Sequence, residues 1–184
     1  MTNVMSDVYV ALLRGVNVGG KNSLPMKDLA EMFGKARCEN VRTYIQSGNV
    51  IFASGESAKV AAAIEQQIVH RFGFRSPVIL RSLKEMRAVV AGNPFLMAGA
   101  ALERLHVSFL AERPTAGRIA SLDPHRSPPD EFIVKGREIY LHTPNGMGKT
   151  KLTSTYFDSE LATVGTVRNW RTTTKLLEMM ESRP

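Results

Sequence analysis

The order in which short apolar runs and amphipathic segments alternate constrains the fold of this chain more than any other feature. Val8–Leu13 is a nearly continuous apolar run, which predicts a strand buried on both faces. Two later β-prone runs are joined by Ser47-Gly48-Asn49, whose residue types favour tight turns, and this predicts a hairpin. The predicted elements of the first half are a strand over Val8–Leu13, a helix between Ser23 and Gly34, strands over Val41–Gln46 and Val50–Ala53, a helix over Ser57–Phe72 and a strand over Pro77–Leu80.

This order, β-α-β-β-α-β, is that of the ferredoxin-like unit. A third helix opens with the capping box Ser82-Leu83-Lys84-Glu85 and is expected to connect to a second half of order β-α-β-β-α. The predicted fold class is therefore α+β, with two ferredoxin-like halves whose antiparallel sheets carry helices on one face. We expect residues 1–81 and 82–184 to form the two halves, packed as one unit. The elements predicted for the second half are a strand over Leu105–Phe109, a helix over Thr115–Leu122, strands over Phe132–Val134 and Ile139–Leu141, and a helix over Thr172–Glu181.

Composition and charge narrow the class of protein. A chain of 184 residues with 43% hydrophobic content is long enough to bury a core. No apolar run approaches the ~20 residues of a membrane span, and no signal peptide is visible. Cys38 is the single cysteine, so no internal disulfide forms and a cytoplasmic location is expected. The net charge of +7 favours anionic partners over cationic ones.

A glycine-rich loop follows the first predicted strand. The segment from Arg14 to Asn22 contains three glycines and two cations and leads into a helix, where backbone N–H groups and the helix N-terminus favour an anion. Its glycine spacing matches neither the dinucleotide-binding fingerprint nor a Walker loop. Two interpretations stay open, a phosphate site and a turn shaped by glycine for structural reasons.

The predicted topology brings this loop close to the hairpin. The first two strands of a ferredoxin-like unit run in the same direction, so the loop after the first strand and the turn after the second emerge at one end. Cations, amides and backbone donors would meet there, without an evident base or nucleophile. The ligand-binding residues predicted at this end are Arg14, Asn17, Lys21, Asn22, Gln46, Ser47 and Asn49.

Two motifs of the second half add cations. The segment Asn145–Lys151 contains Gly-Lys-Thr, but Thr143 stands where a Walker loop requires glycine, which disfavours a nucleoside triphosphatase. The tetrapeptide Arg168–Arg171 combines the single tryptophan with two guanidinium groups, a mixture suited to stacking on a ring and binding an anion, although the tryptophan also fits a core position. Lys149, Lys151 and Arg168 are predicted to contribute to anion binding.

No reaction centre is visible. The four histidines are scattered without metal-ligand spacing, so no metal is expected. No nucleophile elbow is present, and Cys38 has no histidine near it in the sequence. The sequence leaves the cofactor, the oligomeric state and the existence of an enzymatic activity open.

Several long motifs resemble those of a bacterial family, the domain-of-unknown-function family sixteen-ninety-seven. They are YVALLRGVNVGGKN at 9–22, VRTYIQSGNVIF at 41–52, NPF at 93–95, GMGKTKLT at 146–153 and TVRNWRTTTKLLEM at 166–179. The resemblance spans nearly the whole chain and implies no established activity. The chain departs from the family pattern at 37–40 and at Arg171.

The main functional hypothesis is binding of a small phosphorylated or anionic ligand, such as a nucleotide. Three alternatives remain: a nucleic-acid-binding protein, an enzyme of unknown reaction and a protein-interaction module. Binding of a polyanion is distinguished by its steep loss of affinity with salt. An interaction module is distinguished by a large exposed apolar patch.

Overall fold

A computed structural model describes residues 7–182 of the chain. Its elements form two four-stranded antiparallel sheets with helices, which confirms the predicted α+β class. The strands are β1 Asp7–Leu13, β2 Glu39–Tyr44, β3 Asn49–Ser54, β4 Val78–Ser82, β5 Leu105–Leu110, β6 Glu131–Lys135, β7 Glu138–His142 and β8 Gly165–Asn169. The helices are α1 Met26–Lys35, α2 Ser57–Phe72, α3 Leu83–Ala91, α4 Pro94–Met97, α5 Ala116–Ala120, α6 Ser154–Leu161 and α7 Trp170–Glu181, with a short 3₁₀ helix over Leu102–Arg104.

The first sheet has the strand order β2-β3-β1-β4, and β1 pairs antiparallel with both β3 and β4. This order is consistent with the ferredoxin-like arrangement predicted from the sequence. One face of the sheet packs against α1 and α2, whose apolar residues recur at helical spacing. Val60, Ile64 and Ile68 of α2 are buried in this core, whereas Phe72, at the end of the same stripe, is only partly buried.

The second sheet has the equivalent order β6-β7-β5-β8. The sequence predicted β-α-β-β-α for this half, and that prediction lacked β8. Gly165–Asn169 carries no apolar run, because the buried positions of β8 include Gly165, Thr166 and Arg168. Pairing with β5 makes it a strand nevertheless, so the second half is β-α-β-β-α-β and α7 follows it.

The capping box predicted before α3 is present. The backbone N–H of Ser82 donates to Oε2 of Glu85 at 2.7 Å, and the backbone N–H of Glu85 donates to Oγ of Ser82 at 3.3 Å. Helix α7 begins in an equivalent way, because Oδ1 of Asn169 accepts from the backbone N–H of Thr172 at 2.7 Å. Both helices therefore start directly where a strand ends.

The chain forms two compact units. One comprises the residues up to Arg87 together with those from Leu176 onward, and the other comprises Ala88–Lys175. The sequence prediction placed its boundary between residues 81 and 82, whereas the division observed in the structure falls within α3 and again within α7. The first unit contains the glycine-rich loop, and the second contains Lys149, Lys151 and Arg168.

Candidate anion-binding site

The segment 14–25 after β1, here called the glycine loop, is shaped by left-handed backbone conformations. Gly19 and Gly20 have φ angles of 59° and 72° and form a tight turn in which the N–H of Lys21 donates to the carbonyl of Val18 at 3.0 Å. Two consecutive positive φ angles are typical of a type I′ turn, which glycine enters without steric cost. The turn leaves Gly19, Gly20 and Lys21 exposed to solvent.

Asn17 fixes the conformation of the glycine loop. Its Nδ2 donates to the carbonyl oxygens of Leu24 and Gln46, each at 2.8 Å, and its Oδ1 accepts from the N–H of Leu24 at 2.7 Å. Asn22 adds a further bond, from its Nδ2 to the carbonyl of Gly15 at 2.9 Å. Both asparagines therefore satisfy loop backbone groups, which is the structural role that the sequence left open.

The glycine loop meets the turn between β2 and β3, as the topology predicted. The bond from Asn17 to Gln46 joins the two directly, and the N–H of Leu13 donates to the carbonyl of Gly48 at 2.9 Å. A Cβ atom at Gly48 would lie 2.7 Å from Cβ of Leu13, so only glycine allows this approach of the two backbones.

The turn of the hairpin lies earlier in the chain than the turn predicted at Ser47-Gly48-Asn49. Strand β2 ends at Tyr44, and the turn occupies 45–48. Ile45 is 47% exposed and has a φ angle of 48°, a conformation that is strained for a β-branched residue. Asn49 is fully buried and donates from Nδ2 to the carbonyl of Tyr44 at 3.1 Å, so its side chain does not project into an open concavity.

A groove of about 530 Å³ adjoins the glycine loop. It is formed by the second half of α2 and the segment before β4, and its lining includes Glu65, Val69, His70, Arg75 and Ser76. We call it the α2 groove. Ser76 connects it to the glycine loop, because its Oγ donates to the carbonyl of Arg14 at 2.8 Å.

The lining of the α2 groove includes one arginine and one histidine, Arg75 and His70, and one acid. His70 and Arg75 are exposed, and within residues 7–182 neither side chain forms a hydrogen bond or ion pair. The one acid of the lining, Glu65, accepts from the N–H of Val78 at 2.7 Å. The sequence prediction omitted His70 and Arg75 from the site. The available signal was the position of Arg75 just before β4, since the start of β4 lies at the same end of the sheet as the end of β1, and His70 lies near the end of α2 that leads to this segment.

The predicted residues of the second unit have different environments. Lys149 and Lys151 are exposed in the segment between β7 and α6. Arg168 is buried in β8, where its Nη1 donates to Oγ1 of Thr166 at 2.8 Å and to the carbonyl of Val167 at 2.9 Å. Burial lowers the pKa of Arg168 to about 10, which leaves it protonated at neutral pH.

The described residues offer little for nucleophilic or metal-assisted chemistry. Burial raises the pKa of Cys38 to about 11, so its thiol is protonated at neutral pH and is a poor nucleophile. No group of three or more His, Cys, Asp or Glu side chains within residues 7–182 is arranged to hold a metal ion. In the same range, no helix combines the length and apolar character needed to cross a membrane.

Comparison with known proteins identifies the family. A conserved bacterial protein of Streptococcus pneumoniae, SP0830, has a similar structure, with a TM-score of 0.75, 24% sequence identity, and coverage of 96% of this chain and 99% of that one. At this identity the likeness establishes the fold alone. No curated protein matches the chain. The family model described as protein of unknown function DUF1697 matches residues 6–140, and the chain therefore belongs to this family.

Proposed function

We propose that the protein binds a small phosphorylated or otherwise anionic ligand, such as a nucleotide, at the end of the first sheet that carries the glycine loop and the α2 groove. The observation that carries this proposal is the connection of the two features through Ser76 and Arg14. It joins a loop that presents Lys21 to solvent with a groove whose His70 and Arg75 have no partner within residues 7–182.

The roles of the predicted residues divide into two groups. Asn17, Asn22 and Asn49 hold the loop and the hairpin turn through hydrogen bonds to backbone groups. Lys21, together with the groove residue Arg75, supplies charge that is exposed before the ligand arrives. An anion would gain charge-assisted hydrogen bonds from these two cations at little cost in folding stability, since exposed cations contribute little to it.

A thermal-shift titration with inorganic phosphate and adenosine monophosphate, at low ionic strength, tests the proposal. Binding to the native state raises the melting temperature with ligand concentration. Arg75→Met and Lys21→Met should each weaken this stabilisation and leave the melting temperature without ligand nearly unchanged. Lys27→Met is the matched control, because it removes one exposed charge from α1 and should respond to the ligand like the wild type.

Glu65→Gln sharpens the test. The glutamine retains an oxygen that accepts from the N–H of Val78, while the negative charge in the α2 groove is removed. Anion binding should therefore become tighter. If phosphate and the nucleotide leave the wild-type melting temperature unchanged, or if Lys27→Met weakens the response as much as Arg75→Met does, the proposed site is wrong.

The salt dependence of the affinity distinguishes the nucleic-acid alternative from this proposal. A polyanion that displaces several counterions loses affinity steeply as salt rises, whereas a small anion held by two cations depends on salt much less. Tight binding of a single-stranded oligonucleotide that vanishes between about 50 and 200 mM salt would favour the alternative.

A further inference from the structure

A cavity of about 500 Å³ lies in the second unit, apart from the residues used by the proposed function. It is bounded by the start of β5, the junction of β8 and α7, and the 3₁₀ helix over Leu102–Arg104. Its lining includes Leu102, Glu103, His106, Trp170 and Arg171. We call it the His106 cavity.

Local structure fixes the walls of the His106 cavity. The register of β5 and β8 places His106 opposite Asn169, whose side chain caps α7. Trp170 and Arg171 are therefore the first two residues of that helix. Trp170 is only 4% exposed and supplies a rigid aromatic wall, whereas Leu102 is 56% exposed and supplies an apolar rim.

Two opposite charges line the same cavity without neutralising each other. Glu103 and Arg171 are both exposed, and within residues 7–182 neither side chain forms an ion pair or a hydrogen bond. A simple anion would be attracted by Arg171 and repelled by Glu103, and a simple cation would meet the reverse. A ligand that carries both charges complements both side chains, and each single-charge analogue is disfavoured by one of them.

His106 contributes an uncharged ring. It is half-buried, and its Nδ1 is buried without a hydrogen bond of good geometry in the described structure. Burial lowers the pKa of His106, and the backbone of Arg104 opposes this lowering in part. The imidazole is therefore neutral at neutral pH and adds no third charge to the cavity.

We propose that the His106 cavity binds a small zwitterion with an apolar body, such as an amino acid with an apolar side chain. The carboxylate is held by Arg171, the ammonium group by Glu103, and the apolar body lies against Leu102 and Trp170. This site shares no residue with the glycine loop or the α2 groove and does not depend on the function proposed there.

The test is a titration followed by NMR, with the ring signals of His106 and the indole signal of Trp170 as reporters. L-phenylalanine is the probe, and two analogues each lack one charge: 3-phenylpropanoate lacks the ammonium group and 2-phenylethylamine lacks the carboxylate. We expect saturable shifts with phenylalanine and affinities at least about tenfold weaker for both analogues, since hydrogen bonds to charged groups discriminate by this order.

Single substitutions test which side chain of the His106 cavity binds the carboxylate of the ligand and which binds its ammonium group. Arg171→Met should weaken phenylalanine binding about tenfold and leave the affinity for 2-phenylethylamine equal or higher. Glu103→Gln should weaken phenylalanine binding and leave the affinity for 3-phenylpropanoate equal or higher. Arg113→Met, which removes an exposed arginine after the opposite end of β5, is the matched control and should bind phenylalanine like the wild type.

The outcomes decide the proposal. It stands if phenylalanine saturates the reporters, both analogues bind more weakly, and Arg171→Met and Glu103→Gln act in these opposite senses. Absence of saturable shifts at His106 and Trp170 would overturn it. Equal binding of phenylalanine and 3-phenylpropanoate would also overturn it, because the cavity would then recognise a carboxylate alone.

Discussion

At the scale of single residues, asparagine side chains take the place of backbone partners in the turns of the first unit. Asn17 and Asn22 both have left-handed φ angles, of 55° and 51°, which asparagine adopts more readily than most residues. Their side chains bond to loop carbonyls, and Asn49 does the same within the hairpin. The amides that the sequence prediction assigned to ligand binding are therefore used by the loop and the hairpin turn themselves, and only the exposed cations remain available for the proposed anion.

Asn17→Ala should destabilise the protein substantially. It leaves three backbone groups of Leu24 and Gln46 without their partner, which costs about 1–3 kcal/mol, and it places alanine in a left-handed conformation, which costs a further 1–2 kcal/mol or so. Asn17→Gly loses the same hydrogen bonds without the second cost, so it should be the less damaging change. Urea unfolding measures both variants. A loss below about 0.5 kcal/mol for Asn17→Ala would show that the loop does not depend on this amide.

At the scale of elements, the contact between β1 and the hairpin turn depends on a single glycine. Gly48 has a φ angle of 72° and lies too close to Leu13 to accept a Cβ atom, whereas Gly34 in α1 has open space around it. Gly48→Ala should therefore destabilise the protein by about 2–4 kcal/mol, from left-handed strain and overpacking. Gly34→Ala, the same chemical change in a helix, should be neutral or stabilising by up to about 1 kcal/mol.

Chemical denaturation of the two glycine variants, measured side by side, checks this contrast. Similar stabilities for Gly48→Ala and Gly34→Ala would mean that the hairpin can move away from β1. The close approach of Gly48 to Leu13 would then not be needed for the stability of the protein.

Strands with an apolar run and helices with an apolar stripe at helical spacing were predicted from the sequence. Elements without such a pattern were not predicted. Strand β1 and helix α2 have such patterns, and the capping box of Ser82 marked the start of α3. Strand β8 lacks an apolar run because Arg168 occupies one of its buried positions. A buried arginine in a strand depends on hydrogen bonds to nearby groups, and sequence periodicity does not record them.

The candidate site was likewise predicted only in part from the sequence. The meeting of the glycine loop with the hairpin turn followed from topology alone, and the bond from Asn17 to Gln46 is its direct expression. The α2 groove depends instead on where α2 packs relative to the start of β4. The extent of α2 over Ser57–Phe72 was predicted, but its placement against the sheet comes from the long-range packing of Ile64 and Ile68, which the helical pattern does not specify.

At the scale of the whole molecule, the two halves share a repeated feature. Arg81 and Arg168 each occupy the next-to-last position of the fourth strand of a half, and both are buried. In each case Nη1 donates to the carbonyl of the preceding residue, at 2.8 and 2.9 Å, and the following residue caps a helix. The two halves therefore share the strand order and a buried arginine that precedes a helix cap.

The stability of the whole chain should depend on pH through His106. Burial lowers the pKa of this ring in the folded protein, while the unfolded chain keeps a value near 6.5. Between these two values the unfolded state binds more protons than the folded state, so stability rises with pH across this window. His106 therefore imposes no penalty well above pH 6.5, and a growing one as the pH falls from about 6.5 to the folded value, below which the penalty is constant.

His106→Gln isolates this contribution, because every other titratable group is present in both proteins. Relative to the variant, the wild type should lose free energy of unfolding as the pH falls from about 7.5 to about 5, and the difference should be constant at higher pH. Urea unfolding at several pH values, in buffers free of carboxylates and amino acids, measures it without loading the His106 cavity. A difference that is independent of pH would show that the ring is solvated in the folded protein. A wild type that gains stability relative to the variant on acidification would mean that the folded structure favours the charged imidazolium, and the neutral ring assigned to the cavity would be wrong.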